Sequence, residues 1–446
     1  MARLFGTDGV RGVANRELSG ELAFRLGRAA VLALTEQGDS RPGIVVGRDP
    51  RASGEFLEAA LAAGICSAGG DAILLGVCTT PAVAFLTPDL GGQAGAVISA
   101  SHNPARDNGI KFFDSTGYKL ADAVEDAIEA ITEQDRAPRP VGRGVGRIFR
   151  AGDADDRYLN HLEHVAGPGA LEGMSVVVDC ANGAASRVAP ELLKRLGADV
   201  LAINDEPDGW NINDGVGATV PEVMALAVAE AEADAGVAHD GDADRAIFAD
   251  RDGRVIDGDQ VLAACALDMR EAGELEGDAV VSTVMANLGF RLAMRDAGIR
   301  VLETKVGDRY VLEEMLRTGT ILGGEQSGHV IFIRHATTGD GLLTAVQFLG
   351  LARRKDASVA ELAACMRRFP QVLLNVEVAN PGDLDGASGV WQAVTEAEAA
   401  LGDQGRVLVR ASGTEPLIRV MVEAIDEDAA HRHAEAVAAA VRTSLS

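Results

Sequence analysis

Short apolar runs bounded by glycine alternate with Ala- and Leu-rich helical segments along most of the chain, and this alternation restricts the fold more than any other feature. Gly43-Ile44-Val45-Val46-Gly47, Ala72-Ile73-Leu74-Leu75-Gly76 and Ala94 to Ser99 read as buried strands. Leu22 to Thr35, Glu55 to Ser67 and Asp122 to Glu133 read as helices. Strands that are apolar at nearly every position need cover on both faces, so the pattern predicts mostly parallel or mixed sheets with helices on both sides.

The aperiodic stretch Arg136 to Gly144, rich in Pro, Gly and Arg, reads as a domain boundary. The alternation restarts at Ser175 to Asp179 and again after Asp257. Beyond Pro370 it changes. Strand-like runs at Val372 to Val378 and Leu417 to Glu423 are separated by a helix (Val390 to Leu401) and followed by a helical tail (Ala429 to Arg442). The expected fold is α/β: three successive mixed α/β sheet domains over residues 1–150, 151–255 and 256–368, plus a smaller α+β C-terminal domain over 369–446. No exact repeat is visible, and descent of the three α/β units from one ancestor stays open.

Composition narrows function. Lys and Arg number 41 against 67 Asp and Glu, a net charge of −26. That balance argues against nucleic acid, whose phosphates need a basic surface, and against an anionic membrane. An anionic small molecule remains compatible if cations are concentrated locally. The five cysteines are scattered and show no C-x-x-C, which predicts reduced, buried thiols. The first eight residues carry no apolar signal-peptide core, and no run approaches the roughly 20 apolar residues of a membrane span. The cytoplasm is the expected location.

Four segments at strand ends carry chemistry, which is where open α/β sheets place ligands. Ser99-Ala100-Ser101-His102-Asn103-Pro104 follows an apolar strand, and the extended bias before Pro104 predicts Ser101 as an exposed hydroxyl. Asn108-Gly109-Ile110-Lys111 adds a lysine nearby. Asp240-Gly241-Asp242-Ala243-Asp244-Arg245 sets three carboxylates at spacing two, a hard-cation pattern. It is not an EF-hand, since Arg245 and Arg251 stand where glycine and glutamate are required. Like charges so close would splay apart in a solvated turn, but this one is pinned between apolar runs. Gly324-Glu325-Gln326-Ser327-Gly328-His329 offers donors and acceptors suited to sugar hydroxyls or an amine. Arg410-Ala411-Ser412-Gly413-Thr414-Glu415-Pro416, with Arg419 beyond, fits a phosphate nest. Each segment alone is equally a turn. Together they describe binding of a sugar phosphate and movement of its phosphoryl group. Gly6 to Gly12, Gly47 to Arg51 and Gly307-Asp308-Arg309 are further glycine-arginine loops without an assigned role.

In this order the motifs resemble the α-D-phosphohexomutase superfamily from Phe5 to Arg419. Phe5-Gly6-Thr7-Asp8-Gly9-Val10-Arg11-Gly12 and the Gly324–His329 loop are most similar to its bacterial glucosamine-phosphate branch. The resemblance implies a heart-shaped, four-domain isomerase with a central cleft. It implies a phosphorylated Ser101, and one Mg²⁺ held by Asp240, Asp242, Asp244 and a phosphoserine oxygen. It places Glu325, Ser327 and His329 on the sugar, and Arg410, Ser412, Gly413, Thr414 and Arg419 on the substrate, the last four gripping the non-reacting phosphate. Arg11 and Lys111 would flank the phosphoryl group, with Lys111 a candidate for proton transfer. His102 and Arg245, next to the serine and the triad, join the catalytic set. Many relatives have threonine where Ser99 stands; the hydroxyl is kept. The implied reaction interconverts glucosamine 6-phosphate and glucosamine 1-phosphate through a hexose 1,6-bisphosphate, which is also an activator, and feeds amino-sugar and peptidoglycan precursor synthesis. The alternatives are the same machinery acting on mannose or glucose phosphates, and a non-catalytic sugar-phosphate sensor. A homodimer is left open.

Overall fold

The computed structural model describes residues 4–6, 8–33, 41–134, 139–412 and 416–445. They form two compact units, Met1–Met285 with Ile299–Cys365, and Ala286–Gly298 with Met366–Ser446.

The first unit holds three sheets. In the first, β1 (Val10–Val13), β2 (Gly43–Arg48), β3 (Asp71–Val77), β4 (Ala94–Ile98), β5 (Asp107–Asp114) and β6 (Ile148–Arg150) lie in the order β1-β5-β4-β2-β3-β6. In the second, β7 (Ser175–Asp179), β8 (Asp199–Ile203), β9 (Ala235–Ala238), β10 (Ile247–Asp250) and β11 (Val255–Ile256) lie in the order β11-β10-β9-β7-β8. In the third, β12 (Ala279–Thr283), β13 (Arg300–Thr304), β14 (Leu322–Gly324) and β15 (Val330–Phe332) lie in the order β13-β12-β14-β15.

One topology runs through all three. A first strand (β2, β7, β12) pairs in parallel with the next strand on one side (β3, β8, β13) and with the one after on the other (β4, β9, β14). The chain then turns back antiparallel (β5, β10, β15). The shared order supports the repeat left open by the sequence. β4 and β9 are buried at every position, because helices cover both faces.

Two expectations need correction. Arg136 to Gly144 does not end the first sheet. Residues 135–138 lie outside the described residues, but after a short 3₁₀ turn at Gly142–Gly144 the chain adds β6 beside β3. The C-terminal pattern also lacked a strand. The second unit has β16 (Gln371–Glu377), β17 (Gly405–Ala411) and β18 (Leu417–Ala424) in the antiparallel order β16-β18-β17. Val372, Val376, Val407, Val409, Ile418, Val420 and Val422 face a core shared with helices Ser388–Leu401 and Glu427–Leu445. The helix Leu288–Asp296 belongs to this unit although it lies between β12 and β13 in sequence. The fully buried Glu423 accepts from Asn287 Nδ2 at 3.2 Å, from the Leu288 N–H at 2.9 Å and from Arg406.

All five cysteines are free. Burial pushes the Cys78 and Cys265 thiols up to about 12, so they act as small apolar side chains. No described helix is long and apolar enough to cross a membrane.

Candidate active site

The loops carrying Ser101, the aspartate triad and Glu325–His329 are the same connection in three repeats: β4–β5, β9–β10 and β14–β15. They meet at a cavity of about 380 Å³. Asp8, Arg11, Ser101 and His102 line it from the first repeat, Asp244 and Arg245 from the second, and Asp308, Glu325, Ser327 and His329 from the third.

Ser101 is not the exposed hydroxyl expected from Pro104. It is 2% exposed, and its Oγ donates to Asp240 Oδ2 at 2.6 Å. His102 Nδ1 lies 3.4 Å from the same Oγ. His102 is exposed at residue level, but desolvation of its ring in the cavity, aided by the Arg245 and Arg11 guanidiniums, pushes the imidazole down to about 4. The ring next to Ser101 is therefore neutral at physiological pH.

Asp240, Asp242 and Asp244 are buried, with ligand oxygens all within 4.8 Å of one another. One oxygen of each (Oδ1) has no hydrogen-bond partner. Burial and the neighbouring carboxylates raise the pKa of Asp240 and Asp244. Asp242 moves the other way: burial is outweighed by Lys111 and by the hydroxyl of Thr80, which donates to Oδ2 at 2.6 Å. Three orphaned oxygens of a hard-ligand set, crowded away from water, fit a divalent cation of the Mg²⁺ class. His239 Nδ1 and the Arg245 carbonyl, 2.9 Å apart, clip the loop shut.

A chain of charges runs along one wall. Lys111 Nζ is 2.8 Å from Asp8 Oδ2 and 3.2 Å from Asp242 Oδ2. Lys119 Nζ lies 2.9 Å from Asp8 Oδ1 and also contacts Asp308. Arg11 pairs with Asp8. Burial disfavours the Lys111 charge, but the two carboxylates outweigh it and raise its pKa. Lys111 thus enters the site as an ammonium, able to give a proton and not to take one. Arg11, Lys111 and Lys119 are thus each paired with a carboxylate, and of the three only Arg11 lines the cavity.

The third loop is less uniform than its sequence suggests. Glu325 Oε1 accepts from the Gly307 N–H at 3.0 Å, which leaves Oε2 for a ligand. His329 is 2% exposed with both ring nitrogens unpartnered, 3.7 Å from Asp308. The Gln326 amide reaches 3.3 Å from Asp257 Oδ2, where Asp257 caps the helix Gly258–Glu271, so part of its capacity goes to structure.

Arg410, Ser412 and Arg419 belong to the second unit; Gly413 and Thr414 lie outside the described residues. Arg410 and Arg419 are directly opposed across β17 and β18, with Asn375 opposite Arg419 on β16. Cross-strand like charges repel, and burial together with Arg419 lowers the Arg410 pKa. Such a pair suits an anion.

Sequence reasoning missed Asp8, Thr80, Lys119, Asp308, Asp49, Arg51 and Asn213. Asp8, Asp49, Arg51 and Asp308 sat in loops already singled out as glycine-arginine turns. Thr80, Lys119 and Asn213 carried no local signal, since their partners are distant in sequence.

The phosphoglucomutase/phosphomannomutase family models match in order: alpha/beta/alpha domain I over residues 2–139, domain II over 156–253, domain III over 257–369 and the C-terminal domain over 373–440. A phosphoglucosamine mutase of Symbiobacterium thermophilum is 54% identical over 448 residues, covering 100% of both chains. A phosphoglucomutase/phosphomannomutase family protein of Burkholderia thailandensis has a similar solved structure, with TM-score 0.83 and 24% identity over 99% of this chain and 97% of that one. The Aspergillus fumigatus N-acetylphosphoglucosamine mutase solved with GlcNAc-6P and magnesium has TM-score 0.70 and 19% identity, covering 99% and 96%.

Proposed function

The chain belongs to the phosphoglucomutase/phosphomannomutase family of phosphohexomutases, and from that premise we propose that it interconverts glucosamine 6-phosphate and glucosamine 1-phosphate. One observation carries this reading: Ser101 Oγ lies 2.6 Å from Asp240, inside a carboxylate triad and on the same cavity as the Glu325–His329 loop.

Phosphorylated Ser101 passes its phosphoryl group to the O1 hydroxyl of glucosamine 6-phosphate. The Oγ–P bond breaks and the O1–P bond forms, while O1 loses its proton and Oγ regains one. The resulting 1,6-bisphosphate turns over, and Ser101 Oγ takes the 6-phosphoryl group, leaving glucosamine 1-phosphate. The Lys111 ammonium, 3.2 Å from Asp242 Oδ2, is a proton donor at the triad, and neutral His102 is positioned to take a proton from a hydroxyl at Ser101. Arg11 and Arg245, which both line the cavity, would offset the charge that develops on the phosphoryl group. Glu325, Ser327 and His329 would orient the ring hydroxyls, Ser412, Gly413, Thr414 and Arg419 would hold the non-reacting phosphate, and Arg410 joins them in binding the substrate.

Three aspartates and a phosphoserine of about −1.5 to −2 would repel one another strongly. When bound by Asp240, Asp242, Asp244 and the phosphoserine, Mg²⁺ supplies the positive charge that makes the set tolerable and polarises the transferring group. A hexose 1,6-bisphosphate serves as intermediate and activator. The reading extends to a cytoplasmic enzyme of amino-sugar metabolism, with a homodimer compatible.

The deciding comparison is kcat/KM for glucosamine, glucose and mannose 1-phosphates under one set of conditions, with intact-protein mass to detect one phosphate. Preference for glucosamine 1-phosphate with slow turnover of glucose 1-phosphate is expected, because near-isosteres are rejected poorly. A higher value for glucose or mannose would overturn the substrate and keep the mechanism.

A further inference from the structure

Ser101 has φ +49°, left-handed backbone that a serine rarely adopts. Groups that the transfer reaction does not itself use hold its peptide from both sides. On the carbonyl side, the fully buried Arg51 spreads one guanidinium over the loop. Its Nη2 donates to Ser101 O at 2.8 Å and Asn103 O at 2.9 Å, and Nη1 reaches Pro104 O at 3.4 Å. Asn213, from the second repeat, donates to the same two carbonyls at 2.9 and 3.1 Å. Both lone pairs of each carbonyl are thereby filled. On the amide side, the Ser101 N–H donates to Ser99 Oγ at 2.9 Å, and Ser99 donates to the buried Asp49 at 2.6 Å. Asp49 lies 3.1 Å from Arg51 Nε and closes the ring of contacts. Gly241 leaves the room required, since a Cβ there would sit 2.6 Å from Ser101 O.

A buried ion pair is costly to desolvate, and an apolar pair could fill the same volume. Only a planar fork of donors, neutralised by its own carboxylate, can bind three carbonyls of one turn. Because φ at Ser101 sets the direction of its Cβ, releasing these carbonyls would swing Oγ away from Asp240.

We propose that Arg51, seconded by Asn213, is a positioning residue for phosphoryl transfer: it fixes the carbonyls of Ser101 and Asn103 and so holds the Ser101 hydroxyl at the aspartate triad. This rests on the reading of Ser101 as the phosphoryl carrier.

The test uses Arg51→Lys, Arg51→Ala and Asn213→Ala in the full chain, with Ser101→Ala in parallel. Arg51→Lys should lower kcat about 100-fold, as a misplaced reacting group does. KM for glucosamine 1-phosphate should stay within about threefold, because ground-state binding is untouched. Added guanidinium ion should restore part of the activity of Arg51→Ala. Asn213→Ala should lower kcat about tenfold, with the hydroxyl still phosphorylated to wild-type stoichiometry but more slowly. A wild-type kcat per phosphorylated molecule in folded Arg51→Lys or Asn213→Ala, or a loss that follows only the thermal midpoint, would overturn the proposal. If both Arg51 variants fail to fold, Asn213→Ala decides it. Turnover by Ser101→Ala would instead remove the phosphoserine reading. An inactive Ser101→Ala beside an unimpaired Asn213→Ala would remove the positioning role alone.

Discussion

Ser101 Oγ and Asp240 Oδ2 lie 2.6 Å apart although 139 positions separate the two residues in the chain. The contact joins the β4–β5 loop of one repeat to the β9–β10 loop of the next. In the proposed function this one contact joins the phosphoryl acceptor to a cation ligand.

Ser101→Ala is expected to lose mutase turnover by at least about 10³-fold, because the acceptor oxygen itself is gone. Stability should fall by only about 1–2 kcal/mol, the scale of one hydrogen bond to a buried charged group. Intact mass should show one phosphate on active wild type and none on the variant. Turnover close to wild type would rule out the phosphoserine route.

Asp242→Asn should weaken Mg²⁺ binding more than Thr80→Val does. The first substitution removes a charged ligand; the second removes the hydroxyl that fixes Asp242 Oδ2. For Thr80→Val a loss of about 10- to 100-fold in metal affinity is expected. Calorimetric titration with Mn²⁺ as a probe gives the order directly, and chelation of wild type should abolish activity reversibly. Activity that survives exhaustive chelation would exclude the metal site.

Arg419→Ala should raise KM for the sugar phosphate about 10- to 100-fold through loss of a charge-assisted contact. The thermal midpoint should fall little, since the like-charge contact with Arg410 is relieved. An unchanged KM would make the β17–β18 turn structural only.

Asp340→Asn is expected to stabilise the protein relative to wild type as pH rises. Asp340 is buried, accepts from Tyr158 at 2.8 Å and caps the helix Gly341–Lys355 through the Leu343 N–H at 2.9 Å. Burial raises its pKa to about 6, against about 3.9 in an unfolded chain. A raised native value means its contribution is fully present below about pH 4 and is lost as pH climbs through 6. Asparagine keeps the cap and removes the charge. The difference in unfolding free energy between variant and wild type, from denaturant titration, should therefore shift toward the variant from pH 4.5 to 7.5, by up to about 2–3 kcal/mol. A pH-independent difference would show that Asp340 is not the group responsible.

What the sequence determined by itself was everything set by local periodicity and by loop chemistry. Ser175–Asp179 and Ala279–Thr283 are strands over the whole expected spans, because runs this short, rich in β-branched valine and bounded by turn signals, favour a strand over a helix. The aspartate spacing specified a cluster of buried carboxylates, since three of them held between apolar runs cannot relax by splaying. Tertiary structure alone decided how such groups are used. Ser101 has the same neighbours in sequence whether its hydroxyl is exposed or buried; Asp240, Arg51 and Asn213, all far along the chain, decide that it is buried and held in a left-handed turn. The Lys111 pKa is raised in spite of burial because Asp8 and Asp242 face it. Strand β17 went unread until its partner β18 was in place, because its alternation is short and gains its meaning from cross-strand pairing. Periodicity depends on neighbours in the chain and survives in a string of letters. Electrostatics and backbone strain depend on neighbours in space, and these exist only once the repeats have packed.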